Sequence, residues 1–311
     1  MYEMMKKQNF GVEIELTGIT RAQAAKVVAD YYGGATRHTG GAYDMWTASD
    51  RKSRTWKAMS DASIHTERRV NGELESGGFG GREYSCEVVT PILQYEDLPD
   101  LENIVNALKA AGAVANDSCG IHVHVDGANH TPESLTRLLN FAVGRQDLFY
   151  EALNVGAARM RYCQKMDKSL LRRIRNGERS RQAMKEAWYS RANSGYHGGI
   201  SEAHYNESRY HGINLHAYFT KGTVEFRLFN GTTDADTVKA YVQFCLAMSA
   251  WALDCDTLKL HFTSCANYTR EKKARLMHSV LTNRLGLRGA EFKTCREILT
   301  AAFQKADSQA A

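Results

Sequence analysis

Residues 119–126 of the sequence, CGIHVHVD, carry the residue types best suited to chemistry. Successive side chains of a β-strand point to opposite faces, so His122, His124 and Asp126 share one face and the isoleucine and valines share the other. Imidazoles and a carboxylate on one face can bind a metal ion or transfer protons. A lone His-x-His strand is equally consistent with a structural role, and Asp126 is also placed to cap a turn. The other strands must decide between these interpretations.

The same alternation recurs elsewhere, in residues 10–17 (FGVEIELT) and 223–229 (TVEFRLF) and, less regularly, before Pro91. The polar side chains opposite the apolar ones in these segments are Glu13, Glu15, Glu87, Glu225 and Arg227. If the apolar faces pack on one side of a single antiparallel sheet, the polar faces together form the other side. Crowded carboxylates repel one another, so the pattern predicts bound cations. The alternatives are an exposed edge strand and a cross-strand salt bridge between Glu225 and Arg227.

The ligand types indicate which metal is expected. Four carboxylates and one or two imidazoles, without cysteine, favour Mg²⁺ or Mn²⁺ over a structural zinc ion. The planar guanidinium of Arg227 is suited to holding a phosphate group beside such a metal. Metal ions and an arginine among carboxylates indicate phosphoryl transfer, and the lack of a P-loop sequence excludes a Walker-type nucleotide site.

Hydrophobic periodicity predicts an α+β fold. The predicted strands are residues 10–17, 54–59, 83–90, 119–126, 212–219 and 223–229. The predicted helices are residues 21–32, 98–113, 131–153, 181–191, 234–253, 267–283 and 290–306. Residues 31–41, 195–199 and 68–82 are predicted to be loops, the last of them mobile and carrying Glu73 and Glu75.

Composition limits the class of protein. The 311 residues include only three prolines, which argues against long disordered linkers. No apolar run approaches the roughly 20 residues that span a bilayer, and no signal peptide is visible. Seven scattered cysteines without a C-x-x-C spacing favour reduced thiols. We therefore expect a cytoplasmic protein with no membrane association, and oligomerisation is possible.

Positive charge is concentrated in residues 159–181, which include nine basic residues and only two acidic ones. This segment has a net charge of +7, whereas the whole chain has +5. It is either a solvated helix face or a contact surface for phosphates, nucleic acid or an acidic substrate. We expect one catalytic domain over residues 1–311, with a basic helical insertion or lid at about 154–200 and C-terminal helices at about 267–306.

Several motifs, taken in order, resemble the successive motifs of the putative amidoligase family. They are GVEIE at 11–15, the segment 56–64 with Asp61 and Ser63, EVVTP at 87–91, CGIHVHVD at 119–126 and TVEFRLFNG at 223–231. The resemblance covers residues 9 to 250. It implies a carboxylate–amine ligase with a glutamine-synthetase-like catalytic domain, in which a curved antiparallel sheet has helices on its convex face. It also implies ATP and Mg²⁺ or Mn²⁺ as cofactors.

The resemblance also implies roles for individual residues. Glu13 and Glu15 would serve two different metal ions, with Glu87 joining one of them. His122 and Glu225 would bind the metal nearer the ATP phosphates. These implied roles leave His124 as either a ligand or a hydrogen-bonding residue of the sheet.

Arg227 would contact the transferred phosphoryl group, and Arg209, near His211 and Asn214, is a further candidate for the nucleotide site. The second carboxylate that such enzymes supply from a loop has three candidates here, which are Glu75, Glu73 and Asp61.

The expected reaction has two steps, through an acyl phosphate that an amine then attacks. Its expected substrates are an amine and a carboxylate, either an amino acid or a peptide. One rival function is a metal-dependent hydrolase or phosphotransferase with the same ligands. The other is a nucleic-acid-binding or partner-binding protein with a degenerate metal site, using residues 159–181.

Overall fold

The structure, a computed structural model, describes residues 1–78, 81–190, 200–203, 205–256 and 265–304. It confirms an α+β protein with a large antiparallel sheet. The chain forms two compact units. We call residues 9–123 and 229–241 the strand-rich unit, and residues 1–8, 124–228 and 242–311 the helix-rich unit.

The strand-rich unit contains most of the sheet. Its strands are β1 (Phe10–Leu16), β2 (Thr36–Gly40), β3 (Met45–Ser49), β4 (Thr55–Met59), β5 (Glu67–Val70), β6 (Glu73–Ser76), β7 (Cys86–Val89) and the first four residues of β8 (Gly120–Asp126). Their order in the sheet is β2-β3-β4-β7-β1-β8, and β5 and β6 form a separate hairpin. The glutamate-bearing strand β1 therefore lies between β7 and β8.

This unit also contains two helices, α2 (Arg21–Tyr32) and α3 (Leu98–Ala110), which pack against each other. Thr20 caps α2 in a reciprocal capping box with Gln23, and Gly33, with φ 72°, ends the helix. Helix α2 packs on β3 and β4, and Trp56 of β4 is buried. The apolar side chains of β1 and β7 are also buried, which leaves the opposite face of each strand for polar residues.

The helix-rich unit contains the remaining elements. Its helices are α1 (Tyr2–Lys6), α4 (Pro132–Val143), α5 (Gln146–Ala152), α6 (Lys168–Asn176), α7 (Arg181–Trp188), α8 (His216–Thr220), most of α9 (Ala235–Asp254), α10 (Arg270–Ser279) and α11 (Lys293–Thr300). Strand β9 (Ile213–Asn214) pairs with β10 (Thr223–Asn230), whose last two residues belong to the strand-rich unit. None of the described helices is long and apolar enough to cross a membrane.

The structure corrects several predicted loops. The predicted loop 31–41 includes β2, which pairs with the unpredicted strand β3. The predicted mobile loop 68–82 is in part the β5–β6 hairpin, turning at Asn71 and Gly72, whose φ angles are 52° and 90°. Asn-Gly is the sequence typical of such a two-residue turn. The dipeptide was therefore a usable signal for this hairpin.

Other predicted elements are shorter or divided. The predicted helix 131–153 begins as expected, with Thr131 as cap and Pro132 in the first turn, but it is divided into α4 and α5 at Gly144. The predicted strand 212–219 is only β9 followed by α8, and the predicted strand 83–90 begins with a 3₁₀ turn at Arg82–Tyr84. The predicted loop 195–199 and the ends of the predicted helices at 191 and 305–306 lie outside the described residues. All seven cysteines are free thiols, as predicted.

Gly231, in the turn after β10, lies in close contact with the backbone of Cys119, and a substitution there tests this packing. Its N–H donates to the Cys119 carbonyl at 2.8 Å, and a Cβ at this position would lie 2.5 Å from Cys119 Cβ. We expect Gly231→Ala to lower the free energy of unfolding by about 1–3 kcal/mol. Gly11→Ala is the matched control, because its Cβ would meet only ordinary contacts at 3.7 and 3.9 Å. Equal melting temperatures for the two variants would contradict this packing.

Candidate active site

Strand β1 presents Glu13 and Glu15 on the face opposite its buried apolar side chains, as the alternation predicts. Val12, Ile14 and Leu16 are each at most 1% exposed. Glu15 is also buried, whereas Glu13 is partly accessible. The apolar face fixes which way the strand sits, so the two carboxylates must point to the same side.

His122, on the neighbouring strand β8, lies between these two carboxylates. Its Nδ1 is 3.0 Å from Glu13 Oε2, and its Nε2 is 3.5 Å from Glu15 Oε1. The backbone N–H of Gly120 donates to Glu15 Oε2 at 2.6 Å. The side chain of His122 is 2% exposed, so a ring flanked by two carboxylates is held in a desolvated place.

Glu87 of β7 adds a third carboxylate. Strand register places it directly opposite Glu15 on one side and opposite Met59 of β4 on the other. Like charges directly opposite each other across a ladder are destabilising. Both side chains are nonetheless buried, at 2% and 8% exposure, where like charges are screened less than at the surface.

Asp61, in the turn after β4, is held near these carboxylates. Its Oδ1 accepts hydrogen bonds from the N–H and the hydroxyl of Ser63, at 2.7 and 2.6 Å. The Ser85 hydroxyl donates to the Asp61 carbonyl at 2.6 Å. The Ser85 carbonyl in turn accepts from the buried guanidinium of Arg21 at 2.7 Å. A loop carboxylate is thus fixed through contacts with α2 and with the residues before β7.

Two groups of three side chains in the strand-rich unit have ligand atoms close enough to hold a metal ion. One consists of Glu13, Glu87 and His122, and the other of Glu15, Asp61 and Glu87. Within each group the ligand atoms lie within 4.8 Å of one another. The first set has two carboxylates and one imidazole, and the second has three carboxylates. Both are rich in oxygen ligands and suit Mg²⁺ or Mn²⁺. Burial raises the pKa of the adjacent Cys86 thiol to about 12, so this cysteine is protonated in the metal-free protein.

The helix-rich unit holds a different cluster, on β9 and β10. Glu225 is paired with the Arg227 guanidinium, and the Asn214 amide donates to Glu225 Oε2 at 2.7 Å. All three side chains are buried. A salt bridge between Glu225 and Arg227 is therefore present and buried in the structure, but it joins two residues of one strand, β10, and is not the cross-strand pair that was predicted.

Arg227 is fixed at several points besides Glu225. Its backbone N–H donates to the Gly212 carbonyl at 2.8 Å, and its Nε is 3.4 Å from the Tyr162 carbonyl. Arg159, which is also buried, donates to the Arg227 carbonyl at 3.3 Å. The guanidinium of Arg227 therefore keeps one orientation.

His124 lies in the same unit, and its environment fits both sequence interpretations. Its Nδ1 is 2.9 Å from the Thr223 hydroxyl, whereas its Nε2 is 3.9 Å from Glu225 Oε1. Asp126 accepts the N–H of Ala128 at 2.9 Å, as expected of a residue that caps a turn.

A cavity of about 240 Å³ adjoins Glu225 in the helix-rich unit. Its lining side chains are Glu202, Arg209, Asn214, His216, Ala217, Thr220, Lys221 and Glu225. Arg209 lines the same cavity as Asn214 and Glu225, and its role in a nucleotide site stays a prediction. Sequence reasoning missed Lys221, His216 and Thr220, because residues 212–219 were predicted to be a strand rather than β9 and α8.

The remaining loop candidates lie elsewhere in the strand-rich unit. Glu73 and Glu75 lie on β6 of the exposed hairpin, and Glu75 is paired in register with Arg68 of β5. Among the described residues, Asp61 is the only one of the three candidate loop carboxylates that belongs to a possible metal-binding group. His122 and Glu225 were predicted to bind the same metal ion. They belong to different units, and their shared role stays a prediction.

The pairing of Asn214 with Glu225 can be tested by charge. Asn214→Asp would place a second carboxylate directly opposite Glu225 and remove a hydrogen-bond donor. We expect a loss of about 2–4 kcal/mol in unfolding free energy at pH 8, because buried like charges repel. Asn214→Ala removes only the donor and should lose less. The difference in unfolding free energy between the two variants should shrink toward pH 5, because one of the two facing carboxylates then gains a proton. Equal unfolding free energies of the two variants at pH 8 would contradict the pairing.

Comparison with known proteins gives one finding on the family. The model of a family described as "Putative amidoligase enzyme" matches residues 6–249, most of the chain and every strand described above. No curated protein matches the sequence. The motifs that suggested the resemblance all lie within the matched range, and the chain therefore belongs to the putative amidoligase family, whose activity is in general the formation of amide bonds.

Proposed function

We propose that this protein is an ATP- and Mg²⁺-dependent carboxylate–amine ligase that works through an acyl phosphate. Family membership indicates an amide-bond ligase in general, and the proposal adds the nucleotide, the metal and the intermediate. An amide does not form readily in water, because a carboxylate is a poor electrophile and an ammonium ion is not a nucleophile. An enzyme of this class must therefore supply an activating group and a base.

The observation that carries the proposal is the set of carboxylates around Glu15. Glu15 and Glu87 face each other in register, and both belong to one group of possible ligands with Asp61. A fold that keeps two buried carboxylates opposite each other favours a divalent cation between or beside them. When bound there, Mg²⁺ would neutralise charge on phosphate oxygens. Glu13 and His122 form the second possible ligand set together with Glu87.

Arg227, Arg209 and Lys221 support the phosphate part of the proposal. Arg209 and Lys221 place cationic groups at the cavity beside Glu225. The planar fork of Arg227, held in one orientation by its backbone and by Tyr162, is suited to phosphate oxygens. Fixed donors of this kind stabilise charge that develops in a transition state, because they need no reorganisation at that moment.

In the first proposed step, an oxygen of the substrate carboxylate attacks the γ-phosphorus of ATP. The bond between this phosphorus and the β–γ bridging oxygen breaks, ADP leaves and an acyl phosphate remains. Arg227 contacts the transferred phosphoryl group and offsets its charge.

In the second proposed step, the amine nitrogen attacks the carbonyl carbon of the acyl phosphate. The bond between that carbon and the phosphate oxygen breaks, inorganic phosphate leaves and the amide remains. The amine must lose a proton, and a carboxylate within reach can accept it. Asp61, held by Ser63 and Ser85, and Glu75 of the β5–β6 hairpin are the two candidate bases.

The main rival is a hydrolase or phosphotransferase that uses the same metal ligands. Family membership favours ligation over this rival. Seven free thiols favour a reducing compartment, so we propose that the protein acts in the cytoplasm.

Phosphate release distinguishes a ligase from its rival. With ATP, Mg²⁺ and mixed amino acids, we expect inorganic phosphate to form only when a carboxylate and an amine are both present. Arg227→Gln should lower this rate at least 100-fold, because the developing charge loses a fixed cationic donor. Exposed Arg37→Gln in β2 serves as control and should leave the rate unchanged. Phosphate release that ignores the amine would contradict the proposal.

Metal binding can be tested without activity. Glu87→Gln removes both a possible ligand and the like-charge contact with Glu15. We therefore expect Mn²⁺ affinity to fall at least tenfold, while the metal-free variant is at least as stable as the wild type. Mn²⁺ should raise the melting temperature of the wild type more than that of the variant.

Glu83→Gln is a matched control, since Glu83 is exposed and lies four residues away. Calorimetric titration with Mn²⁺ and thermal melts in EDTA measure both quantities. Unchanged Mn²⁺ affinity in Glu87→Gln would rule out the proposed ligand set.

A further inference from the structure

The basic segment of the sequence forms part of the helix-rich unit, on α6, on the first residue of α7 and between them. We propose that its arginines bind the phosphodiester backbone of a single-stranded nucleic acid. We call Arg172, Arg173, Arg175, Arg179 and Arg181 the arginine surface. This proposal does not depend on the ligase activity proposed above.

The arginine surface lies on a folded element. Helix α6 buries Leu170, Leu171 and Ile174 and packs against α4 and α7. Helix α7 in turn buries Trp188, whose indole N–H donates to the Ser208 hydroxyl at 3.1 Å. The backbone that carries Arg172, Arg173 and Arg175 is therefore held in place, so no folding of this helix has to accompany ligand binding.

None of the five arginines forms an ion pair with a carboxylate in the part of the chain that the structure describes. Arg172 is exposed, with no hydrogen bond to any described residue. Arg173 donates to the hydroxyls of Ser169 and Ser190, at 3.4 and 3.2 Å. The partners of the others are Asn176 Oδ1, the Arg175 carbonyl and the Tyr218 carbonyl. All these hydrogen-bond partners are neutral, so no direct ion pair balances the five charges. The carboxylates of Asp167, Glu133 and Glu202 interact with Arg173, Arg179 and Arg181 only at longer range.

Basic side chains elsewhere on the protein are commonly paired with acids. Examples are the ion pairs Lys26–Asp30, Lys52–Glu96, Lys239–Glu102, Lys273–Glu151 and Arg275–Glu271. The arginine surface differs, because Glu178 is the only acidic residue between positions 168 and 181. Several unpaired charges of one sign on a rigid surface attract a polyanion and release its counterions.

Three observations favour nucleic acid over a membrane or an acidic protein. The apolar side of α6 is buried in the fold, so this helix cannot insert into a bilayer. Seven of the nine basic residues in 159–181 are arginine, whose fork binds phosphate in two places. The Arg161 guanidinium lies 4.9 Å from the centre of the half-exposed Tyr162 ring. Stacked aromatic and guanidinium groups bind the faces of unpaired bases.

The test uses fluorescence anisotropy of a labelled oligo-dT of about 20 nucleotides, with the full chain and at several salt concentrations. Wild-type affinity should fall steeply with salt. The triple variant Arg172→Gln, Arg173→Gln, Arg175→Gln should bind at least tenfold more weakly, and its log–log salt slope should be smaller by about 2, or about 0.7 for each lost phosphate contact. Circular dichroism establishes that the variant is folded.

A matched triple variant on α10 removes the same formal charge, namely Arg270→Gln, Lys272→Gln and Arg275→Gln. There Glu271 pairs with Arg275, and we expect affinity within twofold of the wild type. Equal losses in both triple variants would overturn the proposal in favour of a net-charge effect. Salt-independent binding or no binding would also overturn it. So would equally tight binding to polyglutamate or to anionic lipid vesicles, which would indicate a protein or membrane partner.

Discussion

The repulsion between Glu15 and Glu87 is the constraint on which the candidate site depends. Hydrophobic burial sets the register of β1 and β7, because a shift by one residue would place carboxylates in the core and apolar side chains outside it. That register puts the two glutamates directly opposite each other. The Gly120 N–H offsets part of the cost at Glu15, and a divalent cation would offset more. Core packing and the proposed metal affinity thus have one origin.

In the helix-rich unit, the negative charge of the buried carboxylate Glu225 is offset by other groups of the protein. Glu225 is neutralised by Arg227 and by the Asn214 amide, all within the protein. Such a pair carries little net charge, so Arg227 can attract a phosphate only when Glu225 has another cation to neutralise it. Clustered carboxylates such as Glu15 and Glu87 attract only cations. In the Glu225–Arg227 pair, the carboxylate can bind a cation and the guanidinium can bind an anion.

Period-two alternation explains how much the sequence could predict. Strands β1, β8 and β10 were predictable, because one face of each is buried and its side chains alternate. Strand β2 was not, since its residues are exposed or only half-buried, and without a buried face the side chains need not alternate. Asp61 was predictable only as one of three candidates. Its position depends on Ser85, 24 residues away, and no local pattern shows that contact.

The Glu225–Arg227 pair has a consequence for the order of binding in the proposed ligase. While Glu225 holds the guanidinium, a phosphate must compete with a buried carboxylate for the same donors. A cation that binds Glu225 removes this competitor, so cation and phosphate each raise the affinity for the other. This coupling needs no movement of the backbone, which Gly212 and Tyr162 hold around Arg227. The pair would therefore favour the metal–nucleotide complex over free ATP.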